Sequence, residues 1–454
     1  MQRSTWLRRT ALAAALALAV TACGGGDDAG DDETTPEETT SEMTEGSETE
    51  SEPMTESETE TEAATDPEVD RPGRDDKLDL AYILPESGPL AFLGAPQING
   101  VQLAVDDINA AGGVNGQDVT LESGDEAGDA TQAKEAAARV VNAGADAVIG
   151  AAASGMSQEI IQLLFDNQIV QCSGSNTSPA FTDQDNNGFY FRTVPPDQAV
   201  SPIIADTVVA DGAQSVAIAA RADDYGVALA DLVETAVADL GAEVTANVQY
   251  DPNTSDFSAE VSEITAASPD AVVIIGFGEA ATLIRQLIEA GVSADQIYGG
   301  DGVFGPALAT DVNPDDPSFI AGMKVIGAAG GSEFNARLNE AMPDDEQGNL
   351  IYGGQVYDCA IVIALAAIAA DSTDPAEFIN EIGNVTKDGT ACSSFEECKG
   401  LLEGGEDIDY EGASGPLAIE GTDPTFGRYA VGQFQDDGSL EIVGDQDVDL
   451  AEIS

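Results

Sequence analysis

The stretch that decides the fold is 271–288, AVVIIGFGEAATLIRQLI. It opens with the apolar, β-branched run Ala271–Ile275, bounded by Gly276, which is typical of a buried parallel strand. The residues that follow repeat apolar side chains at the spacing of one helix face: Ala280, Leu283, Ile284, Leu287 and Ile288. A strand that leads directly into such a helix predicts a βα unit of a parallel sheet.

The same alternation of strands and helices extends outward in two series. Strands are predicted at 78–84, 119–121, 147–149, 215–218 and 244–249, and helices at 101–108, 130–142, 225–240 and 257–267. About 375 residues follow the acidic segment described below, which suits two α/β lobes. We therefore predict an α/β protein with two Rossmann-like lobes, whose parallel central sheets direct their strand ends toward a shared crevice.

The N-terminus carries an export signal. Arg3, Arg8 and Arg9 precede an apolar run at 11–20, which is too short to span a membrane. Val20-Thr21-Ala22-Cys23 resembles the lipobox of bacterial lipoproteins, so we expect removal of 1–22 and lipidation of Cys23. This predicts an extracytoplasmic protein anchored by lipid to the outer face of the cell membrane. An ordinary secretory signal with an incidental cysteine is the alternative.

An acidic segment follows the lipobox. Positions 27–70 contain 19 Asp and Glu and neither Lys nor Arg. Such a stretch repels itself and buries little apolar surface, so we interpret 23–77 as a disordered tether. The net charge of -68 argues against nucleic acid or anionic lipid as a partner, because both require a basic patch. It also fits a salt-rich habitat, where screening weakens the self-repulsion.

The absence of histidine and the cysteine count restrict the chemistry. With no histidine, imidazole-based triads, His-ligated zinc and His-ligated haem are excluded, and we expect neither a metal nor a cofactor. Four cysteines remain beyond Cys23, in an oxidising compartment. Cys392 and Cys398 are expected to pair because their spacing closes a small loop. Cys172 and Cys359 form either a second disulfide or two buried free thiols.

Several loop motifs together resemble the type I periplasmic binding proteins for branched-chain amino acids, the leucine/isoleucine/valine-binding protein family. The motifs are Ser87-Gly88-Pro89, 106–116 (DDINAAGGVNG), Ile149-Gly150, Asn176-Thr177-Ser178-Pro179, Phe191-Arg192-Thr193, Asp224-Tyr225-Gly226, Asp256-Phe257-Ser258 and 410–416 (YEGASGP). The resemblance implies an N-terminal lobe of 78–196 and 328–424 and a C-terminal lobe of 197–327 and 425–454. A three-strand hinge near 194–197, 326–328 and 424–427 would join them.

The resemblance also implies residues that hold the α-carboxylate of an amino acid. Ser154, Ser175 and Thr177 match family positions that bind this group through side-chain oxygens or main-chain nitrogens. Hydroxyls and N–H groups at helix N-termini suit a carboxylate. The alternative is that Ser154 and Thr177 only cap helices.

Other matched positions supply the opposite end of the ligand and its side-chain pocket. Asp301 matches an acidic residue that accepts the ammonium group. Phe277 stands where the family carries an aromatic ring against the ligand, and Tyr225 matches a cleft tyrosine. Leu93 replaces an aromatic ring of the archetype. Asp197 is expected to act at the hinge or behind the ligand contacts.

The implied function is that of a solute-binding component of an ABC importer. It would be a non-enzymatic monomer that captures a branched-chain or other aliphatic amino acid by lobe closure and delivers it to permease subunits. Alternative ligands are amides, urea or another small carboxylate, and an alternative role is a ligand-sensing receptor lipoprotein. Gly276-Phe277-Gly278 also resembles part of a dinucleotide fingerprint, but the acidic residue expected on the next strand is missing.

Overall fold

The computed structural model describes residues 75–182, 184, 187–344 and 346–450. The fifteen strands are β1 Asp79–Ile83, β2 Thr120–Glu122, β3 Ala147–Gly150, β4 Val170–Ser173, β5 Tyr190–Arg192, β6 Ser215–Arg221, β7 Glu243–Tyr250, β8 Ala271–Ile275, β9 Ile297–Gly299, β10 Lys324–Ala328, β11 Thr390–Cys392, β12 Ile408–Gly412, β13 Gly415–Pro416, β14 Phe426–Phe434 and β15 Leu440–Asp449. The twelve α-helices are α1 Ala91–Ala110, α2 Ala130–Ala143, α3 Ser154–Asp166, α4 Asp197–Ala210, α5 Asp224–Asp239, α6 Ser258–Ala267, α7 Ala280–Glu289, α8 Leu308–Val312, α9 Ser332–Ala341, α10 Gly353–Ala369, α11 Pro375–Phe378 and α12 Phe395–Glu403.

The strands form two main sheets, one in each lobe. The first has the order β2-β1-β3-β4-β5 and is parallel throughout. The second has the order β15-β14-β10-β9-β8-β6-β7. These sheets, each covered by helices, confirm the predicted α/β architecture. Strand β8 and helix α7, which opened the sequence argument, lie in the second sheet and against it.

The second sheet is not parallel throughout, which corrects the prediction of two parallel sheets. Strands β14 and β15 run antiparallel to each other, and β14 runs antiparallel to β10. A tight connection between β14 and β15 makes a hairpin, and a hairpin pairs its strands antiparallel. A third, small sheet of β11, β12 and β13 lies outside the two main sheets.

Each main sheet is buried between pairs of helices. Helices α1 and α10 pack together against one face of the first sheet, and α2 and α3 against the other. Helices α4 and α5 cover one face of the second sheet, and α6 and α7 cover the other. Burial on both faces explains why the central strands are continuous apolar runs.

The chain crosses between the lobes three times. It enters the second lobe between β5 and α4, returns between β10 and α9, and enters it again between β13 and β14. The β-strand ends that face the crevice therefore come from both lobes, and their loops are held by rigid sheets. The predicted signal peptide at 1–22, most of the predicted tether at 23–77 and the predicted lipidation of Cys23 lie outside the described residues.

Two disulfides lie in the first lobe, one between residues far apart in the chain and one that closes a short loop. Cys172 at β4 and Cys359 in α10 are bonded, with Cα atoms 5.7 Å apart. Cys392 and Cys398 are bonded with Cα atoms 5.4 Å apart, which links β11 to α12. Within the described ranges, every helix is too short or too polar to cross a lipid bilayer.

Candidate ligand-binding site

A small cavity lies between the two lobes, at the strand ends of both sheets. Six of the seven predicted ligand-binding residues line it: Leu93, Ser175, Thr177, Tyr225, Phe277 and Asp301. The first three follow strands β1 and β4 of the first lobe, and the others follow β6, β8 and β9 of the second. Residues that are up to 208 positions apart in the chain thus meet where open α/β sheets bind ligands.

The cavity is tightly closed. Its volume is about 20 Å³, which is room for roughly one water molecule and much less than an amino acid occupies. An amino acid can therefore enter only when the lobes separate or the lining side chains move. The structure corresponds to a closed arrangement of the cleft.

Asp301 connects the lobes at the acidic end of this cavity. Its Oδ1 accepts a hydrogen bond from the Tyr225 hydroxyl at 2.5 Å and from the Gly302 N–H at 2.8 Å. Its Oδ2 accepts a hydrogen bond from the hydroxyl of Tyr352, which lies at the start of α10 in the first lobe. Burial, which outweighs these hydrogen bonds, raises the pKa of the Asp301 carboxyl. Asp301 is thus a desolvated acceptor suited to a cationic group.

The opposite end of the cavity is built from two loops of the first lobe. Ser154 is the first residue of α3 and lies beside the cavity lining, where its Oγ accepts a hydrogen bond from the Ser178 N–H at 3.4 Å. The Ser175 hydroxyl lies 3.1 Å from the Ala152 carbonyl oxygen and 3.0 Å from the Gln97 side-chain oxygen, and it donates its one proton to either of them. The N-terminal turn of α3 presents N–H groups that have no acceptor within the helix. Hydroxyls and helix N–H groups together suit a carboxylate.

The buried Arg192 holds the second of these loops in place. Its guanidinium donates to the carbonyl oxygens of Asn176 at 2.8 Å and Ser178 at 2.9 Å. It also pairs with the Asp423 carboxylate at 2.7 Å. Because these three acceptors and the Thr182 hydroxyl, at 2.9 Å, fix this planar group, the backbone around Thr177 has little freedom. Arg192 therefore positions the loop rather than facing the cavity.

A stack of rings forms one wall of the cavity. The Phe277 and Tyr225 rings lie nearly parallel, with centroids 5.2 Å apart. The Arg221 guanidinium lies 3.7 Å from the Phe277 ring centroid and pairs with Glu279 and Asp223. Such a cation–π contact stabilises the ring position. Phe277 thus presents an apolar surface to the cavity, as Leu93 does from the first lobe.

The glycines of Gly276-Phe277-Gly278 are required by close packing. A Cβ at Gly276 would lie 2.1 Å from the Tyr250 hydroxyl oxygen, and one at Gly278 would lie 2.8 Å from the Pro89 carbonyl oxygen. Contacts closer than 3.0 Å are not tolerated by real Cβ atoms. Protein atoms therefore account for this motif, and the dinucleotide interpretation loses its basis.

Leu90, in the loop 89–94 that was expected to set side-chain selectivity, also lines the cavity. Two residues of the site were not predicted from the sequence: Tyr352 lines the cavity, and the side-chain oxygen of the buried Gln97 lies 3.0 Å from the Ser175 hydroxyl. Tyr352 has φ +63, a left-handed backbone conformation that non-glycine residues seldom adopt. This strained residue places its hydroxyl on Asp301, and strain of this kind concentrates at functional sites. The neighbouring sequence offers no signal for the left-handed conformation of Tyr352 except the Gly353-Gly354 pair that follows it.

A buried carboxyl lies under the loop between β3 and α3. The side chain of Glu126 accepts hydrogen bonds from the N–H groups of Ala152 at 3.0 Å and Ala153 at 3.3 Å. Burial raises its pKa to about 8, despite these hydrogen bonds. Glu126 therefore shapes the loop that carries Ser154 without lining the cavity.

Comparison with known proteins agrees with this geometry. The profile of the family described as periplasmic binding protein matches residues 77–428. The chemotactic signal transduction system substrate-binding protein BasB of Halobacterium salinarum is 26% identical over 374 residues, 78% of this chain and 86% of BasB. Leu/Ile/Val-binding protein homolog 1 of Brucella abortus is 30% identical over 306 residues, 65% of this chain and 79% of that protein.

A solved structure shows the same fold. The leucine-binding protein LivK of Thermotoga maritima superimposes with a TM-score of 0.68 at 23% sequence identity. The match covers 81% of this chain and 98% of LivK. With two lobes, a shared cleft and this profile match, the chain belongs to the periplasmic binding protein family, in its branched-chain amino acid group of type I.

Proposed function

We propose that this protein is the solute-binding component of an ABC importer, that lipid on Cys23 anchors it outside the cytoplasm, and that it captures an aliphatic amino acid. The observation that carries the proposal is the convergence of six predicted contact residues from both lobes on one cavity. A protein that binds between two lobes can couple solute capture to closure. The permease would then recognise the closed shape, with the protein acting as a monomer.

The chemistry of the two ends supports a zwitterion as the solute. The Ser154 and Thr177 end offers hydroxyls and helix N–H groups for a carboxylate, and Asp301 offers a buried acceptor for an ammonium group. Between these ends, the apolar side chains of Leu90, Leu93 and Phe277 line the cavity. An aliphatic side chain fits such surroundings because it needs no hydrogen-bond partner.

The first experiment is a ligand screen on the full chain. We expect branched-chain amino acids to raise the melting temperature, because binding to the folded state alone stabilises it. The screen includes other amino acids, amides, urea and carboxylic acids without an amine, at low and high salt. A shift caused by urea or an amide and by no amino acid would contradict the proposal.

A sensing role is the second candidate, and the similarity to BasB favours it. A sensor would use the same cleft but would present the closed form to a signalling partner. Uptake of the radiolabelled ligand, compared between the native strain and a deletion strain, separates the two roles. Uptake that falls on deletion supports transport, whereas unchanged uptake with a lost behavioural response supports sensing.

A further inference from the structure

Asp197 is a second buried acid, directly behind the cavity lining: its N–H donates to the carbonyl oxygen of Thr177 at 2.8 Å, and Thr177 lines the cavity. Asp197 is the first residue of α4, directly after the chain enters the second lobe, and its side chain is fully buried. Within the described residues, neither carboxylate oxygen of Asp197 has a partner in hydrogen-bond geometry. An ionised carboxylate left in this state is costly, so the arrangement needs a compensating group.

The groups around Asp197 oppose its ionisation more than they favour it. Burial and then the Asp301 charge raise the pKa of Asp197. These effects outweigh the Thr177 hydroxyl, which lies near Asp197 but outside hydrogen-bond geometry, and the Arg192 guanidinium, both of which lower the pKa. Arg192 is already engaged by the Asp423 carboxylate and by two loop carbonyls.

Three phenols complete the surroundings of the two acids. Tyr225 and Tyr352 donate to Asp301, and the pKa values of these two phenols and of Tyr429 are raised by burial and by both acids. Phenols with raised pKa values stay neutral and add no positive charge. The Tyr429 hydroxyl is buried and has no hydrogen-bond partner among the described residues.

We propose that Asp197 and Asp301 share one proton in the ligand-free protein, and that the ammonium group of a bound solute displaces this proton into solvent. The proposal rests on the proposed function, since the ammonium belongs to a captured amino acid. The exchange is balanced: the carboxyl O–H gives its proton to water, and the ammonium takes its place as the positive charge beside two carboxylates. Two buried acids titrate as a pair in this way when the charge of one disfavours ionisation of the other.

The exchange makes the site selective for solutes that carry an ammonium group. Because both acids belong to elements of the second lobe, α4 and the loop after β9, the pair persists when the lobes separate. Closure would bury two negative charges unless a proton or an ammonium group compensates one of them. A carboxylic acid without an amine provides no such charge, so it leaves the proton in place and gains no contact at this end.

The proposal fixes the direction of pH dependence. Where the ligand-free pair holds the proton, each bound ammonium releases it, and affinity falls up to tenfold for each unit decrease in pH. Above that range the pair has already lost the proton, and affinity is independent of pH.

Calorimetry on the full chain with L-leucine tests the exchange. Titrations at each pH in two buffers that are effective there and differ in ionisation enthalpy, such as phosphate and Tris at slightly alkaline pH, give the number of protons released between pH 5 and pH 9. We expect about one proton per leucine in part of this range for the native protein, and none for Asp197→Asn. The matched control is Asp231→Asn, an exposed acid on α5, which should behave as the native protein. Leucine binding with no proton release across the range would overturn the proposal.

A second measurement does not depend on any ligand. Infrared spectra of the ligand-free protein at pH 7 contain a carbonyl band for each protonated carboxyl, including that of Glu126. The native spectrum minus the Asp197→Asn spectrum should contain one such band, and the native minus Asp231→Asn spectrum none. Failure of leucine and every other amino acid to bind would count against the proposed function alone. The absence of the difference band would refute the shared proton whether or not leucine binds.

Discussion

Replacement of Asp301 by asparagine separates binding from folding in this protein. Asparagine keeps the size of the side chain and one oxygen, which can accept from Tyr225 or from Tyr352 but not from both, and it removes the negative charge. A hydrogen bond to a charged group contributes about 1.5 to 3 kcal/mol. Since about 1.4 kcal/mol corresponds to a factor of ten, Asp301→Asn should weaken binding of the captured amino acid about 10- to 100-fold.

Stability should respond in the opposite direction. Burial raises the pKa of Asp301, which means that its ionised form is disfavoured in the folded state. We therefore expect the ligand-free Asp301→Asn protein to melt at the native temperature or above it. Calorimetric titration gives the affinity, thermal unfolding gives the stability, and Asp231→Asn serves as the control for loss of an exposed acid. An unchanged dissociation constant in a folded variant would remove Asp301 from the site and refute the reasoning.

Four further outcomes are expected. Thr177→Val should weaken amino-acid binding by roughly tenfold in a calorimetric titration, because one hydrogen bond of about 1 to 1.5 kcal/mol is lost; equal affinity would argue for a structural role alone. Burial raises the Glu126 pKa to about 8, whereas the same carboxyl in the unfolded chain ionises at lower pH, so the native protein should lose unfolding free energy as the pH rises from about 5 to about 8. Glu126→Gln should not show this loss, and parallel pH profiles of the two proteins in denaturant titrations would contradict this. Joint replacement of Cys172 and Cys359 by serine should cost about 2 to 5 kcal/mol in the same assay, since their bond closes a separation of 187 residues, and an unchanged midpoint would speak against the bond. The melting temperature should rise from about 0.1 M to about 2 M KCl because salt screens an excess of acidic residues, and a falling temperature would oppose that explanation.

The sequence was sufficient for the architecture because burial leaves a local signature. The run Ala271–Ile275 and the helix that follows carry the periods of a buried strand and an amphipathic helix, and the structure has both. The antiparallel hairpin of β14 and β15 was not predicted, because the sequence patterns were interpreted only as βα units of a parallel sheet. Strand β14 alternates buried and partly buried residues and β15 is mostly exposed, so neither strand has the continuous buried apolar run that marks a central parallel strand.

The site was predictable where it follows a strand and obscure where it does not. Asp301 and Phe277 come directly after β9 and β8, so position in the fold and resemblance to a family pointed to the same residues. Tyr352 lies in a turn before α10, and only its left-handed backbone brings its hydroxyl to Asp301. The isolation of the Asp197 carboxylate depends on packing by several distant elements, which no local pattern encodes.

The sequence could not decide whether Cys172 pairs with Cys359, because this contact also depends on packing between distant elements. The two cysteines are 187 residues apart, and their contact exists only because α10 packs on the sheet that contains β4. Spacing is informative for short loops, such as that of Cys392 and Cys398, because a short chain limits the distance between its ends.

The most direct test of the account is a crystal structure of the protein with the amino acid that gives the largest thermal shift. The account predicts that the solute lies between the lobes, with its carboxylate at the Ser154 and Thr177 loops and its ammonium group within hydrogen-bond distance of Asp301. A solute bound outside this cleft, or held in it with the ammonium directed away from Asp301, would contradict the central claim.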